Sequence, residues 1–222
     1  NDKQGPKIYA YLNNEDFQDG GTVNAQPFFV AHLEDASGIN VSGNGVGHDL
    51  ELCIDGNPQH TYNLNEHYTG EFGNFTQGSV SFSIPTLSPG AHTLTFRAWD
   101  VLNNTSQTTL HFVVDEEYKP QLLQLSATQN PATTSTHFRI LHNLPGAECT
   151  ITIDVFDFAG RRVWTTTQTG GNGTNVYEIP WNLCTPAGGR LGTGIYLYRC
   201  TLQNGKSKKV SDTQKIIIQN NK

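Results

Sequence analysis

Short runs of alternating hydrophobic and polar residues extend along the whole chain, which is the pattern of β-strands with one buried face. In the run from Asp49 to Asp55, for example, Leu50, Leu52 and Ile54 share one face. No stretch shows helical periodicity. Seven strands are therefore predicted in each half of the chain: residues 7–12, 27–33, 49–55, 59–64, 79–84, 92–99 and 107–114, then 122–127, 136–141, 149–156, 162–167, 175–180, 194–202 and 212–219.

A charged segment, residues 115–120 with the sequence DEEYKP, separates the two sets of strands. It ends in a proline, which a central strand excludes. Short strands at regular spacing are typical of an immunoglobulin-like sandwich. We therefore predict an all-β protein of two tandem immunoglobulin-like β-sandwiches, at residues 1–116 and 121–222, with a linker at 117–120. Residues 66–77 are predicted to form an aromatic-rich polar loop.

Composition narrows the class of protein. The 222 residues include 22 glycines and only 15% charged side chains, which is typical of extracellular β-proteins with many turns. The formal net charge of −6 argues against nucleic-acid binding. No apolar run approaches the roughly 18 residues of a membrane span. Because the chain contains no methionine, we expect residue 1 to lie within a mature protein or fragment.

Several residues are expected to have structural roles. Trp99 and Trp181 are predicted to fill the first and second cores, as buried tryptophans do between packed sheets. Trp164 lies in a mostly polar strand, so its burial is left open. The segment Asp157 to Gly160 is predicted to form a hairpin turn.

The four cysteines are divided unevenly, with Cys53 in the first half and Cys149, Cys184 and Cys200 in the second. This division allows at most one disulfide bond within the second domain, and Cys184 with Cys200 is the pair to test first. Buried free thiols are the favoured alternative. A catalytic cysteine needs a base and a lowered pKa. No spacing of cysteine and histidine meets this need, so no catalytic residue is predicted.

Oxygen-bearing side chains in the loops of the first half suggest calcium, which takes six to eight oxygen ligands. The candidate ligands are Asp35, Asn40, Asp49, Asp100 and Asn103. The alternative is that these residues shape turns through bonds from side chain to backbone, and we favour it. No cofactor other than this candidate calcium ion is expected.

Aromatic residues in the predicted loop 66–77 suggest a second kind of site. Tyr68, Phe72 and Phe75 lie between glycines, and exposed aromatic rings in loops can stack on sugar rings. The favoured alternative is that these three residues cover the end of the sandwich.

Motifs in the second half form an ordered series: Asn130-Pro131-Ala132, Val155–Val163, Trp181, Gly194–Arg199 and Lys215–Ile218. Over about residues 121–219 the chain thereby resembles the FlgD-like immunoglobulin-type domain, which is also fibronectin III-like, and the C-terminal sorting domains of type IX secretion cargo. The resemblance implies that the second domain is an export or docking signal.

Motifs in the first half are similar to the region that follows the protease domain in gingipain-like sortases of the type IX secretion system. They are Gly5–Ile8, Tyr11–Asn14, Asp35–Asn40, Gly45–Leu50, Asp55-Gly56, Ala98–Asp100 and Asn103-Asn104. The resemblance implies a cysteine peptidase domain upstream in the parent protein. None of its catalytic residues maps onto this chain.

We therefore expect the non-catalytic C-terminal region of a secreted gingipain-family cysteine peptidase, or sortase, that serves export, surface docking and partner contacts. The resemblance implies a location at the outer membrane or cell surface of a bacterium. Its partners would be other type IX secretion and attachment proteins and the upstream peptidase domain. One alternative is a cleavable sorting domain with a spacer from an ordinary secreted hydrolase. The other is a carbohydrate-binding module.

Overall fold

The structure, a computed structural model, describes residues 3–42, 47–170, 173 and 175–220. Almost all regular structure in these residues is strand, apart from 3₁₀ turns at Pro58–His60 and Asn65–His67. The chain divides into two compact units, Asn1–Tyr118 and Lys119–Lys222. The boundary between them falls in the segment 117–120 that the sequence marks as a linker. The all-β fold class is confirmed.

The first unit is a sandwich of two sheets. Its strands are β1 (Lys7–Leu12), β2 (Gly21–Val23), β3 (Phe28–Glu34), β4 (Glu51–Ile54), β5 (Thr61–Asn63), β6 (Tyr68–Glu71), β7 (Asn74–Ser83), β8 (Gly90–Trp99) and β9 (Thr105–Val114). One sheet has the order β1-β3-β7-β6, and the other has the order β2-β9-β8-β4-β5. All neighbouring strands are antiparallel except β2 and β9.

The core of the first unit forms because alternate residues of each strand point between the sheets. Phe29 of β3 and Phe96 of β8 meet there with ring centroids 5.1 Å apart. Leu52 and Ile54, which the alternating pattern placed on one face, are completely buried. Burying side chains of this size contributes about 1.5–3 kcal/mol each, so each of these positions stabilises the unit.

Residues 66–77 were predicted to be a loop, and this prediction is wrong. β6 and β7 form a hairpin that pairs Tyr68 with Val80 and Thr69 with Ser79. Gly73 makes the turn with a φ of 73°, which glycine adopts without strain. Most side chains near the turn are exposed, so this stretch has no alternating apolar pattern to reveal its strands.

The second unit is also a sandwich. Its strands are β10 (Leu122–Ala127), β11 (Thr136–His142), β12 (Cys149–Phe156), β13 (Arg162–Gly170), β14 (Val176–Trp181), β15 (Gly194–Asn204), β16 (Ser207–Val210) and β17 (Gln214–Ile218). One sheet has the order β10-β11-β14. The other has the order β13-β12-β15-β16, and β17 also pairs with β15.

Aromatic rings fill the core of the second unit. Phe138 lies 5.7 Å from Trp181 and 4.9 Å from Tyr198, measured between ring centroids. Trp181 is 2% exposed, which confirms its predicted core role. Trp164 is half-buried and stacks on Phe138 from the side.

Trp99 does not have the predicted core role. Its side chain is half-buried, and its ring lies 4.2 Å from the ring of His48. The Arg97 guanidinium lies 5.9 Å from the centre of the indole. Phe29 and Phe96 occupy the centre of the first core instead. Trp99 alternates with the buried Leu94, Phe96 and Ala98 of β8, so its side chain points to the opposite face of the sheet, away from the core.

Two segments of the second unit differ in how well the sequence predicted their structure. Asp157 to Gly160 is confirmed as the turn between β12 and β13, with the Asp157 N–H bonded to the Arg161 carbonyl. The lysine-rich segment at 206–209 was not predicted to be a strand. It contains β16, whose residues are all exposed and therefore carry no alternating pattern.

His142, the last residue of β11, is completely buried in the second unit. Its Nδ1 accepts a hydrogen bond from the Leu144 N–H at 3.0 Å, and Nε2 has no partner among the described residues. The ring stacks on Tyr177 at 5.4 Å. Burial lowers the pKa of His142 from 6.5 to about 4, because the charged imidazolium would lose its hydration.

We expect the stability of the second unit to fall as the pH is lowered from 6.5 to about 4. As the pH falls, His142 is protonated in the unfolded chain before it is protonated in the folded one. Its stabilising contribution is therefore complete only above pH 6.5. The loss is up to about 3 kcal/mol. Urea denaturation across this pH range measures it. The H142N variant, which keeps an acceptor for the Leu144 N–H, should flatten the profile. H137N, at an exposed histidine of the same strand, should leave it unchanged; equal profiles for the two variants would contradict the assignment.

Candidate functional site

The last strand, β17, pairs with β15 from Gly194 opposite Ile218 to Tyr198 opposite Gln214. Ile216, in the middle of β17, is completely buried. An apolar strand near a chain end needs partners on its remaining polar groups, because a bare edge invites aggregation. The structure supplies those partners from the segment that precedes β11.

Asn130 clamps the free edge of β17. Its Nδ2 donates to the Lys215 carbonyl at 2.9 Å, and its Oδ1 accepts from the Ile217 N–H at 2.9 Å. Ala132 continues the pairing, because its N–H donates to the Ile217 carbonyl and its carbonyl accepts from the Gln219 N–H. The Asn130 side chain offers one donor and one acceptor, so it makes the two hydrogen bonds that a neighbouring strand would otherwise make here.

A second set of contacts follows the strand. Arg190 donates from Nε to the Asn220 side chain at 3.1 Å and from its guanidinium to the Thr133 carbonyl. The Asn220 N–H donates to the Thr193 hydroxyl at 2.9 Å. The motifs around Asn130 and Lys215, far apart in sequence, therefore form one structural unit that we call the terminal clamp: Asn130, Ala132, Arg190, β17 and Asn220.

The outer face of the terminal hairpin is apolar in part. Ile195 of β15 and Ile217 of β17 are direct register partners, and they are 47% and 40% exposed. An exposed pair of β-branched side chains on a strand that is firmly bonded at its edges is suited to contact another protein. Sequence alternation indicated both strands, but only the register shows that the two side chains lie opposite each other.

The predicted calcium ligands are engaged in turns. Asp100 is completely buried, and its carboxylate accepts hydrogen bonds from the Leu102 N–H at 2.9 Å and from the Asn104 N–H and side chain at 2.7 Å each. Asp35 accepts from the Ser37 N–H at 2.7 Å. The two loops are adjacent, because Ile39 and Asp100 form a β-bridge.

The other predicted calcium ligands also have local roles. Asn40 accepts from the N–H and hydroxyl of Ser42, and Asn103 has a φ of 68° that a tight turn requires. Asp49 binds the side chain of Asn65 at 2.8 Å. Among the described residues, no three His, Cys, Asp or Glu side chains are grouped to hold a metal ion. The calcium site stays a prediction.

The predicted sugar-stacking residues lie on the β6–β7 hairpin and differ in exposure. Phe72 is fully exposed and Phe75 is 75% exposed. Tyr68 is half-buried and packs over Gly78, where a Cβ atom would lie 2.3 Å from its hydroxyl. Phe72 therefore does not cover the sandwich, although carbohydrate binding stays a prediction.

Another aromatic surface was missed at the sequence level. Tyr9 and Tyr11 of β1 and His32 of β3 lie side by side on the solvent face of their sheet, with centroids 5.8–6.3 Å apart. A groove of about 370 Å³ beside Tyr9 and His32 is also lined by Lys7, Glu34 and Gln77. The spacing of two residues between the tyrosines was the available signal.

Two of the four thiols, those of Cys149 and Cys200, are poor nucleophiles. All four cysteines are free, so the Cys184–Cys200 pairing is not formed. The Cys184 Sγ instead lies 3.5 Å from the Asn182 carbonyl, while Cys200 is completely buried in β15. Burial raises the pKa of Cys200 to about 12, and burial with the nearby Glu148 raises that of Cys149 to about 11. Both shifts are opposite to what a nucleophile needs.

Comparison with solved structures finds the same architecture in a known protein. A crystal structure of dimeric latent PorU from Porphyromonas gingivalis matches 99% of this chain at 34% sequence identity, with a TM-score of 0.56. The chain therefore resembles the C-terminal immunoglobulin-like region of PorU. The match to PorU confirms the similarity inferred from the motifs, and it spans 21% of the PorU chain.

Other comparisons add less. The N-terminal Ig1-2 module of the Drosophila receptor protein tyrosine phosphatase DLAR matches 96% of this chain and 98% of the module, at 10% identity and a TM-score of 0.34. No family model and no curated protein sequence matches the chain. Within the described residues, no helix has the length and apolar character that crossing a membrane requires.

We expect D100A to lower the free energy of unfolding of the first unit by about 2–4 kcal/mol, because three donors lose their buried acceptor. D49A, which removes one bond to a side chain, is the control and should cost less than about 1 kcal/mol. Thermal or chemical denaturation measures both changes. Equal effects would contradict the structural role of Asp100.

Melting of the unaltered chain in millimolar calcium, compared with a chelator control, tests the predicted calcium site. A raised melting temperature would support the site, and an unchanged one would contradict it.

We expect N130A to release the free edge of β17. The variant removes both hydrogen bonds to the strand and should cost about 1–3 kcal/mol. Native-state hydrogen exchange should show faster exchange at the Ile217 amide. N204A is the matched control, because Asn204 makes one exposed bond to the Glu148 carbonyl. Unchanged protection of Ile217 in N130A would show that the clamp does not hold the strand.

Proposed function

We propose that this chain is the non-catalytic C-terminal region of a secreted PorU-like cysteine peptidase of the gingipain family. In this proposal the parent is a sortase of the type IX secretion system, and the region serves export, surface docking and partner contacts. The observation that supports it most is the match to PorU over 99% of the chain. The parent's catalytic chemistry would lie in the upstream peptidase domain.

The terminal clamp supports a docking role for the second unit. Its last strand is bonded on both edges, so it presents a fixed surface rather than a loose tail. The exposed pair Ile195 and Ile217 lies on that surface. We infer that other type IX secretion and attachment proteins at the outer membrane are the partners, and that the location is the bacterial cell surface.

A second candidate is a cleavable sorting domain on an ordinary secreted hydrolase. The observation that favours it is the exposed acidic run at 115–117, which lies just before a second unit with its own complete core. A protease could cut such a segment without disrupting either sandwich. The two candidates differ in whether the second unit remains attached.

We expect the native protein at the cell surface to retain its C-terminus. Intact mass and peptide coverage should place residues 215–219 on a chain much longer than this region, because a sortase component keeps its docking unit. A mature protein that ends near residues 115–120 would instead support the cleavable sorting domain. Replacing the acidic run at 115–117 by serines is the control, since it should block such cleavage and leave a permanent component unchanged.

A further inference from the structure

Most sheet edges in the second unit are protected against pairing with another chain. β16 is four residues long and carries the exposed Lys208 and Lys209. β14 contains Pro180, which has no N–H to donate. The register of β10 shifts between Leu122 and Gln124. Short length, charge, proline and irregularity are the usual means by which proteins block edge pairing.

β13 has such features only at its start, where Arg162 lies and the pairing with β12 shifts register. It is nine residues long and pairs only with β12, so its other side is an edge. No charged residue and no proline follow Arg162 within the strand, which ends at Gly170. Among the described residues, no strand lies beside this edge. Half of the N–H and C=O groups of β13 therefore point outward, as in strands that accept an added peptide.

A groove opens beside the inner face of this edge. It has a volume of about 510 Å³. Trp164 of β13 and Trp181 of β14 form its aromatic wall, with ring centroids 5.4 Å apart. The groove is lined by Ser135, His137, Trp164, Pro180, Trp181 and Asn182. It offers a large side chain an apolar site next to the free backbone groups of β13.

The outer face of β13 carries a row of threonines. Thr167 and Thr169 form hydroxyl contacts with Thr152 and Thr150 of β12 at 3.0 and 3.2 Å. The Thr165 hydroxyl donates to Asp154 at 2.8 Å. Cross-strand threonine pairs stabilise a sheet. A strand added at the edge would continue this row with serine or threonine on its outer face.

We propose that β13 binds an extended, uncharged segment of another polypeptide as an added antiparallel strand, with an aromatic side chain in the Trp164–Trp181 groove and hydroxyl side chains along the threonine row. Only an extended polypeptide supplies the alternating donors and acceptors that this edge needs. The lack of charge from Val163 to Gly170 favours a segment that also lacks charge. The proposal rests on the proposed function for the existence of a partner, and it names where that partner docks.

Synthetic peptides test the proposal with the full 222-residue chain. The probe is a capped nine-residue peptide in which threonine alternates with valine around one central phenylalanine. Calorimetry should detect binding, and amide shift changes in NMR spectra should map to β13 and the groove. The same peptide with alternate amides N-methylated should bind at least about tenfold weaker, because it cannot donate to the edge. Replacing its phenylalanine by alanine should also cost about tenfold.

Adjacent proline variants provide an internal control. Neighbouring residues of a strand point their N–H groups to opposite sides, so one of T167P and Q168P removes an N–H bonded to β12 and the other an outward one. We expect the variant with the higher melting temperature to keep its fold and to lose peptide affinity by about tenfold or more. W164A should lose the preference for phenylalanine over alanine in the peptide. Y9A, at an exposed aromatic residue of the first unit, should bind normally.

Three results of the peptide experiments would overturn the proposal: no binding, equal binding of the N-methylated peptide, or shift changes mapped elsewhere. Concentration-dependent dimerisation that the outward proline abolishes would also overturn it, because a second copy of the chain would then occupy the edge. These outcomes are independent of the intact-mass result. If the intact mass supports a sortase component but no peptide binds β13, only the docking proposal fails. If the second unit is cleaved but binds peptide at β13, only the proposed function fails.

Discussion

The backbone groups at the edge of a sheet have to be bonded or protected, and this constraint governs the arrangement of the second unit. β17 is a short apolar strand near the end of the sequence, with one edge on β15. Its other edge would be bare without Asn130 and Ala132. The clamp uses a side chain and one further backbone position, so it secures the strand without the length of another strand.

Different aromatic residues fill the space between the sheets in the two sandwiches. In the first unit, two phenylalanines meet at the centre and Trp99 is left at the periphery. In the second, Phe138, Trp181 and Tyr198 form the centre, and Trp164 continues the aromatic packing to the side. Because this aromatic layer reaches the flank of the sandwich, the second unit has a groove there beside an unprotected edge.

The alternation of hydrophobic and polar residues was sufficient to predict strands that have one buried face. It failed for strands whose two faces are both exposed to solvent. The segment 7–12 and the segment 149–156 have the bounds that the pattern indicated. β6 and β16 are mostly exposed, so only pairing with a neighbour defines them. The same reason limits site prediction. Ordered motifs placed Asn130 and Lys215 in one domain, but the hydrogen bonds between their segments depend on tertiary contacts.

Some groups that could act chemically serve the fold of this chain instead. Burial holds the thiols of Cys149 and Cys200 in their protonated form, and the turn-forming Asp100 uses its carboxylate on backbone donors. Among the described residues, a partner can meet the free edge of β13 and the exposed Ile195 and Ile217. Such groups give affinity through geometry rather than charge, because an extended segment is read by its hydrogen bonds and alternate side chains. In the proposed function, such groups would dock a partner while the catalytic chemistry lies in another domain.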